Sequence, residues 1–212
     1  MFPDHLRPVE ATALPPFGFP VLKFGRSKFP KVMFALSLDT LSLAPYGAIA
    51  AITISSFNLG GVIDTRTILL DYDHQADNFQ RHVDTSALRF WLDDQSAARR
   101  FILTDIVGDR LLADDAFAVL ADFISDQKSK VRETRTLVWT KGIKFEAPIL
   151  ETLAKDYGTE CPITYQEWAD LRTLAVLTDI SIGRFDGKDG AALTAPEQAL
   201  KVIEALEKLN LS

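Results

Sequence analysis

With 212 residues and a formal net charge of −6, the chain is long enough for one sizeable domain and has no overall basic field, so any nucleic-acid binding must be local. Its 47% apolar and 25% charged residues are typical of a soluble globular protein, and its single cysteine, Cys161, excludes an intramolecular disulfide and suits a reducing compartment. Because it contains neither a run of about 18 apolar residues nor a charged segment leading into an apolar one, we expect an intracellular, cytoplasmic protein without a membrane span.

The first 32 residues differ from the rest, because they hold six of the ten prolines. Proline fixes φ and lacks a backbone donor, so we expect an extended arm at residues 1–32 before a single domain at residues 33–212. The second half of the arm interleaves basic residues with Phe24 and Phe29, a pattern that can contact phosphates and stack on bases. Alternatively, the phenylalanines dock on the domain or a partner while the basic side chains stay in water. The candidate nucleic-acid contacts are Lys23, Arg26, Lys28 and Lys31.

Three strand-like segments follow the arm. Residues 32–38 are almost continuously apolar, which predicts a buried central strand. Residues 47–57 and 61–71 alternate between apolar and polar, and the turn signal Asn-Leu-Gly at 58–60 separates them, so they predict a hairpin. We therefore expect the first three strands to form an antiparallel meander.

The rest of the chain follows a helical period, interrupted by short apolar runs. Residues 194–197, Thr-Ala-Pro-Glu, form a capping-box pattern that should begin the last helix. Pro148 is expected in the first turn of a helix that Gly158 ends. The predicted elements are a helix from residue 84 or 85 through 92, a segment at 96–102, helices at 114–126, 145–157, 170–179 and 194–209, and a strand at 135–140. This order predicts a mixed α/β domain.

Four strings of the sequence together resemble one enzyme family. They are SLDTLS at 37–42 with GAI at 47–49, FWL at 90–92 with QSAAR at 95–99, WTKGIKFEAPIL at 139–150, and WADLRTL at 168–174. In this order they resemble the 3′–5′ exonuclease (DEDDh-type) branch of the ribonuclease H-like superfamily, including small phage exonucleases such as T4-type exonuclease A and the nuclease domain of exonuclease VIII. The resemblance covers residues 33–210. It implies a ribonuclease H-like mixed sheet flanked by helices, and it suggests a phage genome as one source of the protein.

The resemblance also implies a chemistry, phosphodiester hydrolysis by two divalent ions, Mg or Mn, about 3.5–4 Å apart. Four carboxylates must converge, because hard cations take oxygen ligands and need charge compensation. A histidine near the last acid serves as general base.

Three acidic positions of the family can be matched to the first and third strings. Ser37 stands where the family has a metal-bridging aspartate, and a neutral hydroxyl is a much poorer ligand. Asp39 stands at the glutamate position, one methylene shorter, and Glu146 at the next aspartate, one methylene longer. Asp39 and Glu146 are therefore candidate catalytic and metal-binding residues. The simpler reading is a turn residue for Asp39 and a first-turn helix acid for Glu146.

The last family motif, a histidine followed five residues later by an aspartate, is degenerate here. Aligned on the final helix, Asp189 replaces the histidine and Thr194 the aspartate. In a shifted register, Asp189 is the last acid, a third candidate metal ligand, and Arg184 takes the place of the histidine. Neither register supplies a histidine, because the three histidines of the chain lie elsewhere. Asp170 matches a family acid that supports the site rather than bridging the metals.

The sequence leaves three functions open. The first is a catalytically inactive or strongly impaired exonuclease homologue that needs no cofactor and binds a nucleic-acid end or a protein partner, since losing groups that act as a unit costs several orders of magnitude in rate. The second is a divergent, active exonuclease that uses Asp39, Glu146 and Asp189 with Mg or Mn. The third is a structural or interaction protein, for instance in a phage assembly, with the arm as its anchor. The choice between DNA and RNA, and the oligomeric state, stay open.

Overall fold

The computed structural model describes residues 29–93, 110–182 and 191–211. Within them, a five-stranded mixed sheet has the order β3-β2-β1-β4-β5. Its strands are β1 (Met33–Thr40), β2 (Ile49–Asn58), β3 (Gly61–Leu69), β4 (Val138–Thr140) and β5 (Trp168–Asp170). The predicted segment at 96–102 and residues 1–28 of the predicted arm lie outside the described residues.

The predicted meander is confirmed, because β1 pairs antiparallel with β2, and β2 with β3. On the other side of β1, β4 runs parallel to it, and β5 runs parallel to β4. The carboxyl ends of these three parallel strands therefore meet at one edge of the sheet. The first strand continues to Thr40, two residues beyond its predicted end, so Asp39 lies within β1 and opposite Ala51 rather than in a turn.

Six described helices flank the sheet: α1 (Tyr72–Phe79), α2 (Thr85–Asp93), α3 (Ala113–Val131), α4 (Ile143–Asp156), α5 (Leu171–Thr178) and α6 (Ala191–Leu211). The first of them was not predicted, because its sequence is mostly polar. Its N-cap Asp71 accepts a hydrogen bond from the His74 N–H at 2.8 Å. The buried Gln75 side chain bonds both backbone groups of Ile49, each at 2.9 Å, which ties α1 to β2.

Two predicted helix starts are wrong. The last helix begins at Ala191, so Thr194 lies inside α6 and the capping-box prediction fails, since Ala-Ala-Leu at 191–193 favours helix. Similarly, α4 begins at Ile143, so Pro148 is its sixth residue and lies beyond the first turn. The carbonyl that the Pro148 ring leaves without a helical partner belongs to Lys144, which is exposed to water.

Side chains of β1 alternate between two hydrophobic layers. Phe34 and Leu36 pack in the layer that includes residues of α3 and α4. Met33 and Ala35 pack in the opposite layer, with residues of α5 and α6. By the same alternation, Ser37 and Asp39 continue the face of β1 that α6 covers. None of the described helices is both long and apolar enough to span a membrane.

Candidate functional site

A cleft of about 410 Å³ opens at the carboxyl end of β1. Its walls come from β1, from α2 and the residues before it, from the β4–α4 junction, and from α6. The described lining residues are Ser37, Leu38, Asp39, Thr40, Leu43, Asp84, Ser86, Ala87, Phe90, Trp91, Lys141, Phe145 and Thr194. Elements that are distant in sequence thus meet at the string that most resembles a metal motif.

Two hydrogen bonds hold α2 as one wall of this cleft. The indole Nε1 of Trp91 donates to the backbone carbonyl of Thr40 at 3.1 Å, and the Asp84 N–H donates to the carbonyl of Leu41 at 2.8 Å. The Asp84 carboxylate accepts from both the N–H and the hydroxyl of Ser86, each at 2.8 Å, and these bonds lower the pKa of Asp84. Its charge is therefore stabilised at the start of α2.

Ser37, Asp39 and Thr194 come together in the cleft. Ser37 and Asp39 are only 7% and 4% exposed. Thr194, half-buried on α6, lines the same cavity because α6 packs over their face of β1. Two hydroxyls and one carboxylate thus lie where the resemblance places acids, Thr194 in the register that is aligned on the final helix.

Lys141 follows the last residue of β4 and also lines the cleft. Partial burial and the nearby positive charge of Arg172 lower the pKa of Lys141, while Glu146 acts in the opposite direction. Because β4 is parallel to β1, its carboxyl end brings this residue to the edge of the sheet where Asp39 lies.

Glu146 is buried below the rim and is not one of the described lining residues. Its Oε2 has no hydrogen-bond partner among the described residues. Burial raises the pKa of Glu146 to about 7, and the Asp170 charge adds to this, whereas backbone hydrogen bonds and Arg172 oppose it. A Cβ at Gly142 would lie 3.8 Å from this Oε2 and 3.5 Å from the Arg172 Nη1, so these two groups flank Gly142.

Asp170 caps α5, and both of its carboxylate oxygens accept backbone hydrogen bonds. The Thr173 N–H donates to Oδ1 at 2.7 Å and the Ile143 N–H donates to Oδ2 at 3.2 Å. The supporting role that the resemblance implies for Asp170 stays a prediction.

The remaining predicted site residues are not brought to the cleft by the described structure. Asp189 and Arg184 lie outside the described residues, as do Lys23, Arg26 and Lys28. Lys31 is described, but it precedes the amino end of the eight-residue β1, about 25 Å from the end that forms the cleft. Its Nζ donates to the Val131 carbonyl at 3.2 Å and its N–H donates to the Glu133 carboxylate at 2.8 Å.

The described donors do not fit a pair of divalent cations. No group of three or more His, Cys, Asp or Glu side chains in the described ranges is arranged to hold a metal ion. The described lining includes the hydroxyl residues Ser37 and Thr194 and the carboxylate of Asp39, together with Lys141 and with Asp84, whose carboxylate is bonded to Ser86. Hard cations need several anionic oxygens, which this set does not supply.

A mixed sheet that begins with an antiparallel meander, with candidate residues at the carboxyl end of β1, defines a ribonuclease H-like fold of the exonuclease type. The chain belongs to the 3'-5' exoribonuclease Rv2179c-like domain family, whose model matches residues 33–207. The family assignment drawn from the four sequence strings is confirmed.

A solved structure agrees on the fold. The nuclease domain of 3'hExo, a DEDDh family member bound to rAMP, matches with a TM-score of 0.61 at 9% identity, over 85% of this chain and 94% of that one. The metal-free E. coli ExoI–ssDNA complex matches with a TM-score of 0.48 at 12% identity, over 84% of this chain and 39% of that one. No curated protein sequence matches the chain.

Proposed function

We propose that this domain binds the 3′ end of single-stranded RNA and that its phosphodiesterase activity is lost or strongly impaired. The observation that carries the proposal is the donor set of the cleft, where the hydroxyl residues Ser37 and Thr194 line the wall with Asp39, and the other described acid, Asp84, is bonded to Ser86. Metal-dependent relatives use the charge of two divalent ions to activate water and stabilise the transition state. Neutral hydroxyls do not compensate that charge.

The size and lining of the cleft support a nucleotide as its occupant. A volume of about 410 Å³ is in the range of small-molecule sites. Phe90, which is half exposed, and Phe145 supply aromatic faces on which a base can stack. The rAMP bound to the nuclease domain of 3'hExo is consistent with this, and the family description favours RNA over DNA.

A second candidate, a divergent active 3′–5′ exonuclease, is favoured by the family and by the retained acid in the cleft, Asp39. It would require Glu146 and Asp189 to complete a site for Mg or Mn. Glu146 counts against this role, because it is buried and is not one of the described residues that line the cleft. Binding of a protein partner through the arm stays a prediction.

The test combines binding and cleavage on one substrate, a single-stranded oligoribonucleotide with a 5′ fluorophore and a free 3′ hydroxyl. Anisotropy measures binding, and gel electrophoresis after incubation with Mg²⁺ or Mn²⁺ measures shortening. We expect saturable binding and no shortening above a buffer control. A 3′-phosphorylated copy of the same oligonucleotide tests whether the free end is recognised.

The control variants are Asp39→Asn, which keeps the shape of the side chain, and Asp122→Asn on an exposed face of α3. Shortening from the 3′ end that Asp39→Asn abolishes and Asp122→Asn preserves would overturn the impaired-enzyme proposal in favour of the active exonuclease. Absence of binding to every oligonucleotide would overturn the RNA-end proposal.

A further inference from the structure

Lys141 brings a basic side chain to the cleft where the resemblance would put metal ions. It lines the same cleft as Ser37, Asp39 and Thr194. Its position is determined by the sheet, because the parallel pairing of β4 with β1 sets the carboxyl ends of the two strands side by side. A flexible lysine stem on this short connection allows the ammonium group to donate to an occupant of the cavity.

A second cation reinforces the field at this rim. The Arg172 guanidinium lies beside Gly142, the residue that follows Lys141, and its charge is near enough to lower the pKa of Lys141. The buried Glu146 offsets these charges only in part, because burial favours its neutral form. Asp84, the other acid that lines the cleft with Asp39, is stabilised by its bonds to Ser86.

We propose that the Lys141 ammonium binds a phosphate of the nucleic-acid end directly, so that end capture needs no divalent metal. This inference rests on the proposed binding of an RNA end and specifies the chemistry of that site. A lysine is a well-suited phosphate ligand, since it acts as a compact point charge with three donors. The replacement of carboxylates by hydroxyls at Ser37 and Thr194 removes anionic repulsion that a bound phosphate would otherwise meet.

The experiment measures anisotropy of a 5′-labelled oligoadenylate with a free 3′ end, once with EDTA and once with excess Mg²⁺. We expect the two dissociation constants to agree within about twofold after correction for ionic strength. Lys141→Gln should weaken binding by about tenfold or more, the loss expected for one charge-assisted hydrogen bond. Lys141→Arg should restore most of the affinity, and the slope of log K against log salt should fall by about 0.7 in Lys141→Gln.

Lys144→Gln is the matched control, because Lys144 lies exposed on the first turn of α4 and does not line the cleft. An equal loss of affinity in Lys141→Gln and Lys144→Gln would overturn the proposal of a direct contact. Wild-type binding that requires Mg²⁺ would also overturn it. The wild-type comparison in EDTA and Mg²⁺ tests the metal independence of binding even if Lys141→Gln fails to fold, and Lys141→Met, which keeps the apolar stem, then tests the contact itself. Wild-type protein that binds no oligonucleotide in either condition would instead overturn the proposed function on which this inference rests.

Discussion

The carboxylate of Asp170 accepts a hydrogen bond from the backbone N–H of Ile143 at 3.2 Å, and this bond joins the N-terminus of α5 to that of α4. Ile143 is the first residue of α4, whose N-cap Gly142 has no side chain with which to cap the helix. The other Asp170 oxygen accepts the Thr173 N–H at 2.7 Å, as the N-cap of α5. One side chain thus satisfies two backbone donors that helix geometry leaves without partners, and it fixes α5 against the junction that carries Lys141 and Glu146.

We therefore expect Asp170→Ala to lower the free energy of unfolding by about 1–2 kcal/mol, because it removes one N-cap and one further acceptor. Asp170→Asn should lower the free energy of unfolding by less, since asparagine caps helices about as well as aspartate does. Some loss should remain, because asparagine has only one acceptor oxygen. Urea unfolding followed by circular dichroism measures both. Asp122→Ala, an exposed change within α3, is the control. Equal stability of Asp170→Ala and Asp122→Ala would contradict the double-cap interpretation.

Glu146 predicts a fall in stability as the pH rises. Burial raises the pKa of Glu146 from an ordinary value of 4.5 to about 7 in the folded protein. At a pH between these two values, the folded state therefore keeps a proton that the unfolded state has released. The stabilising contribution is complete below the unfolded value and is lost as the pH rises through the folded one. The difference corresponds to roughly 3 kcal/mol.

Urea unfolding of the wild type and of Glu146→Gln between about pH 5 and pH 8 measures this contribution. Glutamine mimics the protonated acid, so the variant should lack this fall and should exceed the wild type in stability at the alkaline end. Glu151→Gln, an exposed change on the same helix, should leave the profile unchanged. Parallel profiles for the wild type and Glu146→Gln would rule out a proton held at this position.

The long strands of the sheet could be predicted from the local sequence pattern, whereas a very short one could not. The alternation of the hairpin and its turn signal located β2 and β3, and in the structure the Asn58 side chain accepts the Gly60 N–H at 2.7 Å within that turn. By contrast, β5 has only three residues, too few for a period to be read. The polar α1 was missed because its cap and the buried Gln75, rather than an apolar stripe, hold it in place.

The candidate site shows the same limit. Ser37, Asp39 and Thr194 were singled out by resemblance, and their meeting depends on how α6 packs against β1, which no local pattern encodes. Lys141 was not singled out, because the family string leaves its position open and its place in the cleft follows from the long-range pairing of β4 with β1. Its position directly after a short apolar strand was the available signal.

Gly47 offers a test of the loop that leads from β1 into β2. A Cβ at this position would lie 2.6 Å from the Ser42 carbonyl oxygen and 3.2 Å from that of Ala44, and both are backbone atoms that cannot rotate away. We expect Gly47→Ala to lower the free energy of unfolding by about 1–3 kcal/mol, because the backbone must shift.

Gly142→Ala is the matched control, since its added methyl would meet nothing closer than 3.5 Å and its φ of −153° suits any residue. It should change stability by less than about 1 kcal/mol in chemical denaturation. Similar losses for both would show that the loop accommodates the methyl.

Restoring acids to the cleft tests whether the donor set is what excludes a cation. Ser37→Asp combined with Thr194→Asp places two new carboxylates beside Asp39. Without metal, this double variant should be less stable than the wild type, because three anions then repel one another in a largely buried site. Mn²⁺ should reverse the loss of stability, since an ion present at tenfold above its dissociation constant, and bound only by the folded state, stabilises that state by about 1.4 kcal/mol.

Thermal unfolding with and without Mn²⁺ measures this stabilisation of the double variant. The control, Ala121→Asp on α3 with Leu177→Asp on α5, adds the same charge at two exposed positions on helices that pack against opposite faces of the sheet. A double variant in the cleft that responds to Mn²⁺ no more than this control would show that Ser37 and Thr194 are not what prevents metal binding, and Lys141 would then be the next position to change.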